Sequence, residues 1–365
     1  DGLWMFVVVV AFVPIVAVVA LGPDQAAPVA SCDVLASLAL PNGTITGAEA
    51  IEAGAFVPPM RPGRSMSAGQ RRQFEALPAF CRVTATLTPS SDSEIKVEVW
   101  MPATGWNGKM HAVGNGAFTG SHRYGSARSL ASGLERGYAT ASTDTGHEGG
   151  SASFALGHPE KVIDFGWRAV HEMTVTAKQV IAAFYGSGPE YSYWYGCSAG
   201  GRQAMMEAQR FPGDYDGIIA GAPGNDWTGR AAGSLRIANY LGAHEDAGLS
   251  AAKVELVRMA VLEACDAADG VIDKVVGDPE RCDFDPAVLQ CSGADNGSCL
   301  TAAQVNTVKM LYSSPENPKT GRAITGVLPG SESNWTDLGW TRSARASGLD
   351  QYRYLVYGDP EWTVD

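Results

Sequence analysis

The stretch from Glu190 to Pro212 constrains this chain more than any other. An aromatic, strand-like run, Tyr191 to Tyr195, enters the small-residue turn Gly196-Cys197-Ser198-Ala199-Gly200-Gly201. A helix-like segment leaves it, from about Arg202 to Phe211. Gly-x-Ser-x-Gly between a strand and a helix is the nucleophile-elbow pattern, in which the Ser occupies a strained turn that only small neighbours allow to close. The helix then aims its N-terminus at the place where negative charge develops during acyl transfer. The five-residue pattern alone is common, and its alternative is a Gly-rich turn with an idle serine. The strand before and the helix after give it weight.

The segments on either side extend the same pattern. Cys81–Pro89 and Ser93–Pro102 alternate as strands, and Trp106–Val113 begins another that runs into Gly114-Asn115-Gly116-Ala117. A helical patch at Ser126–Arg136 precedes a strand at Tyr138–Thr143, and Asp164–Tyr185 has helical periodicity. Tyr215–Pro223 reads as one more buried strand. Strands alternating with helices predict a parallel sheet covered by helices. The expected fold is an α/β-hydrolase core over residues 32–228, with Cys32–Phe80 wrapped around it. After Trp227 the alternation stops. Helices are expected at Ala251–Ala264 and Thr301–Tyr312, followed by a Pro-, Gly- and Trp-rich tail, so residues 229–365 are expected to form a lid inserted over the sheet's C-terminal edge.

The chain starts with Asp1, and the apolar run Leu3–Leu21 follows, so residues 1–31 are expected to be a secretory leader, the alternative being an N-terminal anchor. Export makes disulfides reasonable. Cys265 and Cys282 bracket one loop, Cys291 and Cys299 another, and Cys32 and Cys81 remain as a long-range pair, leaving Cys197 unpaired. A net charge of −12 argues against nucleic acid as a partner, and no stable membrane association is expected once the leader is removed.

A nucleophile at Ser198 needs oxyanion donors and a base. The Ala199 N–H is the usual first donor, and the Gly114–Ala117 loop offers a second through the Ala117 N–H. The base is the difficulty, because hydrolases of this fold follow the order Ser, acid, His. Only His244 of the six histidines follows Ser198, and its polar surroundings read as an exposed cap position; His147 can border the site but has the wrong order. A second signal is Asp266-Ala-Ala-Asp269-Gly-Val271-Ile-Asp273-Lys-Val275, whose three carboxylates and turn-forming Gly270 can converge on a hard cation. The spacing is not that of an EF-hand. Calcium and a solvated acidic turn are both open; zinc is disfavoured, since no His or free Cys lies among these residues.

Together these pieces resemble the tannase and feruloyl esterase family, which includes the hydrolase of mono(2-hydroxyethyl) terephthalate. The resemblance is carried by Phe80-Cys-Arg-Val83, Trp106-Asn-Gly108 with Gly114-Asn-Gly116, Thr143-Asp-Thr-Gly-His147, Gly196-Cys-Ser-Ala-Gly-Gly-Arg202, Arg210-Phe-Pro212 with Tyr215-Asp-Gly-Ile218, Ala220-Gly-Ala-Pro223 and Cys265-Asp-Ala-Ala-Asp-Gly270. It implies a secreted serine esterase acting on small aromatic esters of ferulate or gallate type. It implies Ser198 as nucleophile, Ala117 and Ala199 as oxyanion donors, and a structural Ca2+ in the lid held by Asp266, Asp269 and Asp273 side chains and Val271 and Val275 carbonyls. It further implies that Cys197 pairs with a Cys directly after the catalytic His. In the family that His-Cys pair and the acid lie C-terminal to the lid, so the C-terminal part of the hydrolase core is expected to be missing from this sequence, and this piece alone to be inactive. The rival expectation is a non-catalytic, calcium-stabilised aromatic-ester-binding module without the triad His.

Overall fold

The structure is a computed structural model that describes residues 28–60, 65–321, 323, 326–335 and 345–364. The apolar run Leu3–Leu21 lies outside the described residues. A seven-stranded sheet organises the N-terminal part: β1 (Gly43–Ile51), β2 (Phe80–Leu87), β3 (Ile95–Pro102), β4 (Lys109–Val113), β5 (Ala139–Thr143), β6 (Tyr191–Cys197) and β7 (Gly217–Gly221), in the order β1-β2-β3-β5-β4-β6-β7. The strands β5-β4-β6-β7 are parallel, as the alternation predicts. However, β1, β2 and β3 pair antiparallel, and β3 meets β5 antiparallel, so the sheet is mixed. The short connection from Leu87 to Ile95 explains part of this, because a parallel crossover needs a dozen residues or more. The expected wrapping segment Cys32–Phe80 in fact supplies the edge strand β1 and the helix α1 (Ala68–Glu75).

Strand periodicity sends alternate side chains to two cores. Val97, Val99 and Met101 of β3 join Val83 and Ala85 of β2 on one face. Trp100 and Phe80 point to the other, where they meet Phe56, Phe74 and Leu130 of the short helix α2 (Leu130–Leu134). The first face is covered, beyond the short helix α3 (Pro159–Ile163), by α4 (Ala169–Tyr185), whose Ala169, Val170, Met173, Ala177, Val180, Ile181 and Phe184 form a buried stripe. The helix α5 (Ala199–Arg210) packs beside α4 and adds Ala204. Strand β7 departs from the expected buried strand: it lies at the end of the sheet, with Ile219 61% exposed, because no described element covers that face of it.

The connections set the site. From β4 the chain moves through α2 to β5 on one side; from β6 it moves through α5 to β7 on the other. Adjacent parallel strands whose outgoing connections part in this way leave a crevice at their C-terminal ends. Gly114 and Ser198 follow those two strand ends.

A second apolar cluster lies beyond the sheet. It joins Ile237 of α6 (Trp227–Ala243), Val254, Val257 and Val261 of α7 (Ala251–Cys265), and Val305, Val308 and Leu311 of α8 (Ala302–Tyr312), with Trp335 buried among them. Ser250 caps α7, and Thr301 with Gln304 forms a capping box on α8. The tail is more ordered than its composition predicts. After α9 (Arg345–Asp350) a π-helical turn covers Gln351–Val356. The Asp350 Oδ2 accepts the Ala152 N–H at 3.1 Å, and Gln351 donates to the Thr228 hydroxyl, so the tail returns to the core. Disulfides join Cys32–Cys81, Cys265–Cys282 and Cys291–Cys299, matching the expected brackets. Among the described residues, no helix is long and apolar enough to cross a membrane.

Asp144, at the end of β5, ties two strands together: its Oδ1 accepts the N–H groups of Lys96 at 2.9 Å and Gly146 at 2.8 Å. Burial is the largest influence on it and pushes its carboxyl up to about 7. A carboxyl raised in the folded state favours folding while protonated, below its unfolded pKa near ~4, and that contribution is lost as pH rises through the folded value. Asp144→Asn keeps the acceptor oxygen without the charge. Urea denaturation should therefore show the variant gaining on the wild type between pH 4 and 8, by on the order of 4 kcal/mol at most. A difference that does not vary with pH would contradict this.

Candidate active site

The elbow forms as the sequence predicts. Ser198 caps α5 with φ 62° and ψ −118°, a conformation that side chains with a Cβ rarely adopt. Three backbone hydrogen bonds hold it there: the Ser198 N–H to the Gly221 carbonyl at 3.0 Å, and its own carbonyl from Arg202 N–H at 3.0 Å and Gly224 N–H at 3.2 Å. The turn closes only because its neighbours are small. A Cβ on Gly196 would lie 2.2 Å from the Gly200 carbonyl oxygen, and one on Gly114 would lie 2.5 Å from the Gly200 Cα. Ser198 is exposed, and Ala199 opens α5, where first-turn N–H groups have no acceptor within the helix.

The loop after β4 is bound to that helix start. Gly200 N–H donates to the Asn115 carbonyl at 2.9 Å. Asn115 N–H donates to Gln203 Oε1 at 3.0 Å, and Gln203 Nε2 returns a bond to Asn115 Oδ1 at 3.1 Å. The Asn115 amide also donates to the carbonyls of Thr143 at 2.9 Å and Ser121 at 3.1 Å. Both side chains are buried and engaged, so the loop is fixed to the start of α5 and to the end of β5 at once. Ala117 follows in the left-handed region at φ 48° and is exposed. The sequence singled out the loop but not Gln203 or the Asn115 side chain; the Gly-Asn-Gly spacing is a signal for the loop alone.

Beneath the loop lies a buried aromatic cluster that the sequence did not reveal. Phe118 packs with Trp227 at 5.3 Å and Phe165 at 5.9 Å between ring centroids. Arg202 lies 4.8 Å over Phe165 and donates to the carbonyls of Phe165 at 3.1 Å and Gly166 at 3.0 Å, inside a π-helical turn at Asp164–Arg168. Burial lowers Arg202 to about 10, which leaves it cationic at neutral pH. Carbonyl dipoles and ring faces thus compensate a guanidinium to which no described carboxylate pairs.

No histidine among the described residues hydrogen-bonds to Ser198. His147 is buried, and burial lowers its pKa. Its Nε2–H donates to the Phe118 carbonyl at 2.7 Å, and its ring stacks on Phe154 at 3.9 Å, so it braces the loop rather than serving as a base. His111 is lowered to about 4, chiefly by burial, and His122 is lowered by the same cause. His158 and His171 are bonded to Asp92 and Asp214. His244 is exposed at the end of α6, its ring tilted against Tyr240 at 4.4 Å between centroids. Cys197 is free and half-buried.

The acidic loop wraps around two left-handed residues, Gly270 at φ 93° and Lys274 at φ 67°. Asp266 is buried and accepts N–H groups from Asp273 at 3.2 Å and Lys274 at 3.0 Å. Asp269 and Asp273 each accept the N–H two residues on, from Val271 at 2.9 Å and Val275 at 3.0 Å. No described lysine or arginine pairs with any of the three carboxylates, although they are not gathered within 4.8 Å of one another. The donor set is all oxygen and unneutralised, which suits a hard cation.

A strained serine between a parallel strand and a helix, facing a fixed Gly-rich loop at the sheet's switch point, defines an α/β-hydrolase. The family profile described as tannase and feruloyl esterase matches residues 81–349, and the chain belongs to that family. An uncharacterized esterase of Xanthomonas campestris pv. campestris is 45% identical over 297 residues, covering 81% of this chain and 49% of that protein. Feruloyl esterase B of Aspergillus niger is 33% identical over 285 residues, covering 78% of this chain and 54% of the relative. The crystal structure of feruloyl esterase B from Aspergillus oryzae superposes with a TM-score of 0.79 at 29% identity, covering 91% of this chain and 65% of that one. The chain therefore spans about half the length of the curated relatives it matches.

Close backbone contact at the elbow makes a paired prediction. Gly196→Ala should destabilise the protein by about 2 kcal/mol or more, since the clash is with backbone. Gly188→Ala, where a Cβ meets nothing within 4 Å, should stay within about 0.5 kcal/mol of wild type. Equal midpoints for the two variants in urea would contradict the packing described.

Proposed function

We propose that the protein is a serine carboxylic ester hydrolase acting on small esters of hydroxycinnamic or related aromatic acids. Ser198 Oγ attacks the ester carbonyl, the oxyanion is held by the N–H groups of Ala117 and Ala199, and the acyl-enzyme is then hydrolysed. The observation that carries the proposal is the Ser198 backbone, strained at φ 62° and locked opposite the Asn115 loop. The name of the Aspergillus relatives, feruloyl esterase, supports the same class.

We place the general base on a histidine that this sequence does not include, followed by a cysteine that pairs with Cys197. Two observations support this: the six histidines of the chain are bonded elsewhere, buried or remote, and Cys197 is free. Those facts also favour one second reading, a module that binds aromatic esters without turning them over. Residues 229–365 serve as a lid in either case, and three disulfides favour an exported protein. We assign Ca2+ to the acidic loop, with Asp266, Asp269 and Asp273 as side-chain ligands and Val271 and Val275 as carbonyl ligands; the ion would neutralise the three carboxylates and brace the loop closed by Cys265–Cys282.

In the intact gene product, Ser198→Ala should lower methyl ferulate hydrolysis by about 10⁴-fold or more without moving the melting temperature downward. Turnover retained by that variant would sink the mechanism, and binding without turnover in the wild type would select the second reading. Chelation with EGTA should lower the melting temperature of the wild type by several degrees, and added CaCl2 should restore it. An unchanged melting curve would remove calcium from the loop.

A further inference from the structure

Far from the elbow, three side chains converge where α4, α5 and the turn before β7 meet. They are His171 on α4, Glu207 in the last turns of α5, and Asp214 in the turn that follows. One ligand atom from each lies within 4.8 Å of the other two. His171 Nδ1 is bonded to Asp214 Oδ2 at 2.7 Å, and its ring is pinned by stacking on Phe211 at 3.8 Å. Glu207 is the telling member. It is fully buried at 0% exposure, and neither of its carboxylate oxygens has a hydrogen-bond partner among the described residues. The nearest cation does not answer it: the Lys178 ammonium is engaged with the Asp214 backbone carbonyl at 2.6 Å. Burial first, and then the neighbouring Asp214 carboxylate, push its carboxyl up to about 8, so without an ion a proton held by Glu207 stands between the two carboxyl groups. Two carboxyl groups meeting in a buried place need either a proton or a cation between them.

We propose that His171, Glu207 and Asp214 bind one divalent first-row transition-metal ion, of which zinc is the type. One imidazole and two carboxylates form a nitrogen–oxygen donor set that suits zinc or manganese and not calcium, which takes six or more oxygens. Ligands around tetrahedral zinc, each about 2.1 Å from the ion, lie on the order of 3.4 Å apart, so small side-chain rotations close the site. The ion takes the place of the proton between His171 and Asp214, and that proton moves to Nε2 of the same ring. Its role is structural. Glu207 lies nine residues beyond Ser198 along α5, about 13 Å at the rise of a helix, so the ion joins the far end of the elbow helix to α4 and to the turn leading into β7.

The test uses the intact protein, stripped with a chelator and returned to calcium so that the acidic loop plays no part. It is then equilibrated with ZnCl2, freed of excess by gel filtration and assayed for metal. We expect one zinc per wild-type chain with a melting temperature raised by several degrees, and background zinc in Glu207→Gln and His171→Ala with an unchanged circular dichroism spectrum. Equilibration with CoCl2 should give visible bands without the near-ultraviolet thiolate band that binding at Cys197 would produce. Should the variants fail to fold, the wild-type stoichiometry and the cobalt spectrum decide. Three results overturn the proposal: no zinc retained by the wild type, in which case a proton shared by Glu207 and Asp214 neutralises the cluster; equal zinc in wild type and Glu207→Gln; or a cobalt–thiolate spectrum.

Discussion

Two glycine backbones in contact, Gly114 after β4 and Gly200 in the first turn of α5, are the point on which the rest of the site depends. The approach is so close that a Cβ on Gly114 would sit 2.5 Å from the Gly200 Cα. The hydrogen bond from Gly200 N–H to the Asn115 carbonyl locks that contact, and the Asn115–Gln203 pair locks it again one helical turn later. Moving either strand end by an ångström would break several of these bonds together. The register of β4 on β6, with Val113 opposite Tyr195, is therefore part of the site as much as of the sheet.

The mixed sheet follows a division of labour. The parallel strands carry the turns that face the crevice, and their connections are long enough to include helices. The antiparallel strands β1–β3 extend the sheet away from the crevice and bury Val83, Ala85, Val97 and Val99 under α4. Asp144 joins the two regions, because it directly follows the parallel strand β5 while accepting an N–H from Lys96 of β3. The second apolar cluster is built mainly from helices, and the same region rejoins the core through Trp227 on Phe118 and through Asp350 on Ala152.

What the sequence disclosed and what it hid differ in range. The elbow was legible because its demands are local: a strand, four small residues and a helix within one stretch. The loop at Gly114–Ala117 was legible for the same reason. Gln203 was not, since its partner Asn115 lies 88 residues away and a glutamine on a helix looks like solvent-facing surface. Strand β1 was hidden because Gly43, Gly47 and two Thr residues weaken its alternation, and α6 because Gly229, Gly233 and Gly242 dilute its apolar face. The exposure of β7 depends on what covers it, which the run Gly217–Gly221 does not encode. The three disulfides were legible by bracketing, whereas convergence of the acidic loop on an ion is a matter of three-dimensional closure that spacing alone does not fix.

The positive φ of Ala117 shows how such a site bears strain. A left-handed residue with a Cβ costs roughly 1–2 kcal/mol, and an exposed loop left to itself would relax. Here the residue lies between two anchors. On one side Asn115 is tied to Gly200, Gln203, Thr143 and Ser121; on the other the Phe118 carbonyl is held by His147. The second anchor needs a proton on His147 Nε2, which both the neutral tautomer and the imidazolium can supply, while burial disfavours the charged form. His147, which the sequence places at the border of the site, thus serves as a hydrogen-bond donor that braces the loop. Strain at Ala117 and strain at Ser198 are supported by the same small set of bonds between the loop after β4 and the start of α5.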